Sequence, residues 1–216
     1  MKPEIAIIEP ETPENIGAIA RSLANFGHAS FRILNPKCDI LSENSRRTAK
    51  HAQSVLEKAR VFKDWETMTK GYDTIIGTTG KKTSSYSQHR TPIKPSEITQ
   101  KKLGKTLIIF GRESTGLTNQ ELKKCDLITS IPTSKKYPVM NLSHAVTIIA
   151  YETSKSKTQD KVDRKGAITT FSRLVDNTNS IKQKARIKKA FKNILLKSSA
   201  EQEDMNMIAG AFKKCN

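Results

Sequence analysis

The sequence predicts an α/β fold on a parallel sheet, followed by a separate small α-helical C-terminal domain. Three observations carry this. Over the first 150 residues, short β-branched runs alternate with helical patterns, the signature of parallel strands covered on both faces. At Thr153 the composition shifts. The stretch SKSKTQDKVDRKG holds no apolar residue except Val162 and reads as a flexible linker. Helical periodicity then resumes in a markedly more basic segment. The expected division is 1–154 for the α/β domain, 155–166 for the linker and 167–216 for the helical domain.

The elements follow in order. A strand is expected over Glu4 to Ile8 and a helix from Pro13 to Phe26, with Thr12 as N-cap, Pro13 in the first helical position and Gly27 closing it. Ile16, Ile19, Ala20 and Leu23 fall at i, i+3, i+4 and i+7 and make one apolar stripe. Further strands are expected at Ser30 to Leu34, Thr74 to Thr78, Thr106 to Phe110 and Leu127 to Ile131. Helices are expected near Arg46 to Arg60, Thr118 to Lys124 and Leu142 to Thr153. Three short helices fit the tail, at about 167–177, 181–197 and 200–214. The middle one places Ile187, Phe191, Ile194 and Leu195 at helical spacing, and Ser198 or Ser199 can cap the last.

Charge narrows the partner. The 216 residues carry a formal net charge of +17. Residues 1–152 hold 23 basic and 15 acidic side chains, and the last 64 hold 15 and 6, so the tail is about twice as basic per residue. That balance points to a polyanion, and the absence of a strong apolar face favours nucleic acid over a membrane surface. Cys38, Cys125 and Cys215 are odd in number and far apart, without a C-x-x-C. They give neither a disulfide framework nor a zinc site, and the expectation is a reducing cytoplasm with no metal. The N-terminus shows neither a signal peptide nor a membrane span.

Several chemistries are excluded by what is missing. The first strand-to-helix turn, EPETPENIG, lacks the G-x-G-x-x-G backbone approach to a dinucleotide, and GRESTGLT lacks the lysine and spacing of a P-loop. Neither H-E-x-x-H nor G-x-S-x-G occurs, and the four histidines are scattered singly. Three polar clusters remain, at the carboxyl ends of expected strands, where open α/β sheets bind ligands. One is Asn15, Gly17 and Arg21; taking Ile16 as zero, Arg21 falls about 140° round the helix, away from the apolar stripe. The second is the turn Gly111 to Gly116, whose two glycines allow close backbone approach. There Thr118 and Glu121 read as a capping box. The third runs from Ile131 through a loop to Asn141, which fits an N-cap equally well.

Side by side, the clusters resemble the three motifs of the SPOUT (SpoU–TrmD) RNA methyltransferases. N-x-G-x-x-x-R appears as Asn15 to Arg21, F-G-x-E-x-x-G-L as Phe110 to Leu117, and I-P…N-L-S-x-A-V as Ile131 to Val146. The wording G-R-E-x-x-G-L-T-N-x-E-L and the helical C-terminal domain are most similar to the TrmJ family. The resemblance implies an α/β knot, a deep trefoil. It implies S-adenosyl-L-methionine held by Thr78, Thr79, Gly80, Gly111, Ile131, Val139, Met140 and Asn141, and ribose 2′-O-methylation of tRNA at nucleotide 32 of the anticodon loop. Arg21 would hold the adjacent phosphate and polarise the hydroxyl, since a guanidinium is a poor literal base. Asn15 would orient Arg21 or the ribose, Glu113 would brace its loop and pair with an arginine, and Ser143 would help at the hydroxyl. Many 2′-O members carry Ser-x-Asn in the third motif, where this sequence has Val139-Met140-Asn141. Lys81, Lys82 and Arg90, with Lys182, Arg186 and Lys189 of the tail, would contact RNA. The family implies a homodimer whose active sites are shared between subunits. Alternatives from other classes are methylation of ribosomal RNA and an inactive RNA-binding protein.

Overall fold

The structure is a computed structural model and describes residues 2–80, 91–101, 103–155, 162–198 and 200–214. The chain divides into two compact units, Met1–Gln100 with Lys105–Thr158, and Lys101–Gly104 with Gln159–Asn216.

The first unit is the expected α/β layer structure. Its strands are β1 (Glu4–Ile8), β2 (Arg32–Leu34), β3 (Arg60–Phe62), β4 (Thr74–Thr78), β5 (Thr106–Phe110) and β6 (Leu127–Thr129), ordered β3-β2-β1-β5-β4-β6. Every strand pair is parallel: Ile7 lies opposite Ile33 on one side and Phe110 on the other, and the remaining pairs run the same way. The chain builds β1 to β3 toward one edge and the rest toward the other. The carboxyl ends of β1, β4, β5 and β6 therefore open beside a reversal of strand order, the place such sheets bind ligands.

Alternation along β1 covers both faces. Ala6 and Ile8 join Leu107, Ile109, Leu117, Leu122 and Ile128 in one apolar cluster, while Ile5 and Ile7, pointing the other way, are fully buried. Helix α1 (Pro13–Asn25) buries Ile16, Ile19, Ala20 and Leu23, the stripe read from the sequence. Thr12 stands at its N-cap position but makes no side-chain cap bond; its backbone N–H donates to Glu113 instead.

The expected helix from Arg46 to Arg60 is broken. It is α2 (Glu43–Ala49), a 3₁₀ turn (Lys50–Ala52) and α3 (Gln53–Glu57), after which Arg60 already belongs to β3. The break sits at Lys50, whose φ of 51° no helix accommodates. The Gln53 amide holds that turn by donating to the carbonyls of Arg46 and Lys50 at 2.7 and 2.9 Å. Helix α4 (Trp65–Thr69), capped by the Asp64 carboxylate, was also not anticipated, nor was α5 (Pro95–Ile98). Helices α6 (Asn119–Lys124) and α7 (Leu142–Ser154) lie within one residue of expectation, and Thr118 and Glu121 form the expected capping box.

The second unit holds α8 (Lys165–Asn177), α9 (Lys184–Lys197) and α10 (Gln202–Lys214). Val162, Ala167, Leu195 and Met205 form its buried centre, beside a ring cluster in which Phe171 stacks on Phe191 at 4.0 Å and both meet Phe212. Val162 and Arg164 are already buried, so ordered packing starts before the expected 167. The Arg164 Nε donates to the Leu195 carbonyl at 3.0 Å. Two details differ from expectation. Ile194 is 64% exposed because Leu195 and Leu196 take the inward positions. Ser198 lies four residues before α10, at whose start the Glu201 N–H donates to the Asp204 carboxylate, and Ser199 lies outside the described residues.

Gly17 of the first motif is fixed by packing. A Cβ there would lie 2.0 Å from the Ser45 carbonyl oxygen and 2.1 Å from Thr48 Oγ1, so the glycine lets α2 approach α1. Gly17→Ala is expected to lower stability by about 2–3 kcal/mol, the cost of overpacking against backbone that cannot yield. Urea unfolding of both proteins measures it, and an unchanged midpoint would contradict the contact.

Candidate active site

The carboxyl-end loops surround an open cleft with about 930 Å³ of empty space, part of it open to solvent. Thr78 at the end of β4, Thr79 and Gly80 after it, Gly111 after β5, Ile131 after β6, and Val139 and Met140 all line it, so seven of the eight expected cofactor residues share one wall system. Asn141 is not in the lining. Leu117, Leu142, Ala145 and Ile149 add apolar surface that cluster reading had not assigned to the site. The signal for them was present: Leu117 closes the second motif, and the other three fall at helical spacing on one face of α7.

The loop after β5 is held from two sides. Arg112 forks onto Glu121 with two bonds of 3.1 Å and reaches Glu9 with a third of 3.1 Å. These bonds keep the guanidinium charged and push its pKa further up. Burial alone would raise the Glu121 carboxyl; the Arg112 and Thr118 bonds outweigh it and hold the group below its usual range. Within the loop, a Cβ at Gly111 would fall 2.0 Å from the carbonyl carbon of Gly116, so only glycine permits the fold-back.

Glu113 does not pair with an arginine among the described residues. Its carboxylate accepts from the Glu11 N–H at 2.9 Å, the Thr12 N–H at 3.2 Å and Asn15 Nδ2 at 3.1 Å. Arg112 serves the arginine's purpose one residue earlier. The Asn15 carbonyl oxygen in turn accepts from Asn141 Nδ2 at 3.0 Å. Asn141 Oδ1 accepts both the N–H and the hydroxyl of Ser143, at 2.8 and 2.7 Å, so it is indeed the N-cap of α7. One chain of hydrogen bonds thus joins Glu113, Asn15, Asn141 and Ser143, a member of every motif. Only Glu113 reaches the cleft wall. Ser143 is 7% exposed and faces Asn141.

Arg21 lies elsewhere. It is exposed and lines a second depression with Asn25, Lys50 and His51, which shares no residue with the cleft. Asn15 is spent on Glu113 and Asn141 and does not hold Arg21. Lys50 and His51 were not expected here; the turn broken at Lys50 brings them beside Arg21. In the second unit Lys182 and Arg186 are exposed and Lys189 is half-buried. Lys81, Lys82 and Arg90 lie outside the described residues. Among the described residues no group of His, Cys, Asp and Glu has the makings of a metal site, and no helix is long and apolar enough to cross a membrane.

Glu121 gives a pH test. Its folded pKa is lowered, so its contribution is present above the unfolded value near 4.5 and lost as pH falls through the folded one. Glu121→Gln should lower the melting temperature at pH 7 by a few degrees and flatten the decline below pH 4.5. Thermal unfolding from pH 3 to 7 measures both, and parallel curves would mean the pairing adds nothing.

The comparisons agree with this geometry. Residues 2–151 match the model of the SpoU rRNA Methylase family. The tRNA (cytidine-2′-O-)-methyltransferase TrmJ of Methanocaldococcus jannaschii is 33% identical over 225 aligned positions, covering 97% of each chain. The protein of the same name from Sulfolobus acidocaldarius is 37% identical over 149 positions, 68% of this chain and 63% of its own. The crystal structure of TrmJ from Z. mobilis ZM4 superposes with a TM-score of 0.67 at 24% identity, over 100% of this chain and 99% of that one. The likeness to the archaeal protein runs through the helical unit as well as the sheet, and with the three motifs joined at one cleft the chain belongs to the SpoU methylase family, on its TrmJ branch.

Proposed function

We propose that the protein transfers a methyl group from S-adenosyl-L-methionine to a ribose 2′-hydroxyl of tRNA, at nucleotide 32 of the anticodon loop. The observation that carries this is the hydrogen-bond chain from Glu113 through Asn15 and Asn141 to Ser143, which binds the three methyltransferase motifs at the cleft. The archaeal relative, named for tRNA and matched over 97% of its length, favours tRNA over ribosomal RNA. The +17 charge suits either RNA.

The residues present fit the cofactor. Leu117, Ile131, Leu142 and Ile149 offer an apolar slot for adenine, and the backbone of residues 111–116 with the Thr78, Thr79 and Thr133 hydroxyls offers polar partners for the rest. When bound, it supplies an electrophilic methyl group on sulfur. The protein's own part is alignment, because placing the two reactants correctly supplies much of the rate. Glu113 and Asn15 fix the loop after β5 against α1, and Asn141, held by Ser143, fixes the entry to α7. Arg21 binds the phosphate beside the target ribose and polarises its hydroxyl, with Lys50 and His51 adding positive charge around it. Ser143 acts through Asn141. With Val139 at the wall, the third motif offers the ribose no hydroxyl at that position.

Arg21 serves a different protomer's cleft. Six helical residues separate it from Asn15, about 9 Å along α1 and about 240° round it, so the side that meets the cleft is not the side that carries Arg21. A homodimer with shared active sites satisfies both. The knot is the fold the family implies, and the pairing of Thr129 with Thr78 on one side and with Ile93 on the other, so that β6 lies between two stretches of chain, is consistent with it. The α/β domain runs to about residue 154, and the helical domain begins at Val162, whose side chain is already in its core. The setting is cytoplasmic, where tRNA is found. Lys182, Arg186 and Lys189 of the helical domain, and Lys81, Lys82 and Arg90, hold RNA phosphates.

Mass spectrometry of nucleosides from tRNA and ribosomal RNA incubated with the protein and labelled cofactor tests the reaction; label confined to ribosomal RNA would overturn the tRNA assignment. Arg21→Ala should lower turnover by about 100-fold or more with cofactor affinity unchanged. Mixing it with Gly111→Trp should restore about one working site per heterodimer, and failure of every mixture would refute shared sites. The triple substitution Lys182→Gln, Arg186→Gln and Lys189→Gln should shallow the log–log salt slope of tRNA binding by about 2–3, at 0.7–0.9 per phosphate contact. An unchanged slope would remove these side chains from the interface.

A further inference from the structure

Among the large apolar side chains of the described residues, one at the cleft stands out for having nothing to cover it. Tyr137 is 82% exposed. It lies in the loop between β6 and α7, where Thr133 Oγ1 donates to the Pro138 carbonyl at 2.9 Å and closes residues 134–137 into a tip. Both ends of that closure, Thr133 and Pro138, line the cleft, as do the next residues, Val139 and Met140. The tip is therefore carried on the cleft's own wall. No ring partner or hydrogen bond engages Tyr137 among the described residues, whereas Tyr72 bonds Glu4 and Tyr151 packs on Phe26. Lys135 and Lys136, both exposed, stand beside it.

We propose that Tyr137 is the platform on which the base of the target nucleotide stacks, with Lys135 and Lys136 holding the backbone on either side. This rests on the function proposed above and adds to it the contact that reads the base. An exposed ring costs free energy in water and is recovered when a flat apolar face covers it. A single-stranded nucleobase is such a face, and aromatic rings flanked by cations are how unpaired RNA is held. The placement is what a 2′-O-methyltransferase needs, since the ribose must enter the cleft mouth while its base lies outside on the rim. Nothing in the motif network performs this: Glu113, Asn15, Asn141 and Ser143 are engaged with one another. Stacking also grades bases by ring size and fit, so the tip would shape nucleobase preference without hydrogen-bond readout.

The test uses the full chain and a tRNA transcript that the wild-type protein methylates. Tyr137→Ala should lower kcat/KM for that tRNA by about 5- to 150-fold, the range for loss of one stacked base. Tyr137→Phe and Tyr137→Trp should stay within about twofold of wild type, and cofactor affinity should be the same in all four proteins. A transcript with an abasic ribose at the target nucleotide should cost the wild type the same factor, and Tyr137→Ala should lose nothing further on it. Two outcomes overturn the proposal: full activity of Tyr137→Ala on the intact transcript, or a shift of Tyr137→Ala from dimer to monomer on sizing, which would put the ring in a protein interface. RNA binding measured without cofactor separates this reading from the one beneath it. If the wild type methylates no tRNA transcript, weakened tRNA binding by Tyr137→Ala sustains the stacking and sinks the reaction, while normal methylation with unchanged binding does the reverse.

Discussion

The first unit's active end depends on one carboxylate. Glu113 sits in the loop after β5, yet it accepts hydrogen bonds from two backbone N–H groups after β1 and from the Asn15 amide. An ionised carboxylate receiving several donors makes strong bonds, stronger than neutral pairs of the same length. Asn15, fixed through its amide nitrogen, must present its oxygen outward, and that oxygen is what Asn141 meets. Removing the carboxylate would free Asn15 to rotate, and the entry to α7 would lose its fixed point. The three motifs are thus one mechanical unit, in which the four polar side chains are spent mainly on each other and, of the four, only Glu113 reaches the cleft.

Support for that carboxylate comes from its neighbour. Arg112 points the other way from the same loop, with both prongs on Glu121 and a third bond on Glu9. Glu121 is itself the partner of Thr118 in the cap of α6, so the guanidinium ties the loop to a helix end and to the end of β1 together. The turn is fixed at its base by an arginine and at its mouth by a glutamate, with Gly111 and Gly116 allowing the backbone to fold between them. A single ion pair on a surface stabilises little, but this one is half-buried and shared among three elements.

Much of this was legible because it is written in local pattern. Strands β1, β4 and β5 match their apolar runs to the residue, and α7 begins at the asparagine that caps it. Strand β3 was not legible: it is three residues long, at the edge of the sheet, and two of its residues are exposed, so no apolar alternation marks it. The break between α2 and α3 was hidden for another reason. Lysine carries no sign of the positive φ it adopts at position 50, and the tertiary bond from Gln53 that holds the turn appears in no periodicity. At the site, the motif residues were found but their partners were not. The resemblance implied an arginine for Glu113, whereas the backbone donors that claim it, at Glu11 and Thr12, lie 102 and 101 residues earlier.

The position of Arg21 shows how far one chain goes toward an active site. The cleft is shaped by the carboxyl-end loops and one face of α7, and its lining shares no residue with the depression around Arg21, Lys50 and His51. A residue that polarises a hydroxyl must touch it, and a helix is rigid over the two turns between Asn15 and Arg21. Bending α1 would break the packing at Gly17, where α1 and α2 are in contact closer than any side chain allows. The arginine and the cleft thus lie in separate depressions of one chain, and it is this separation that motivates the proposal of a second copy to bring one to the other.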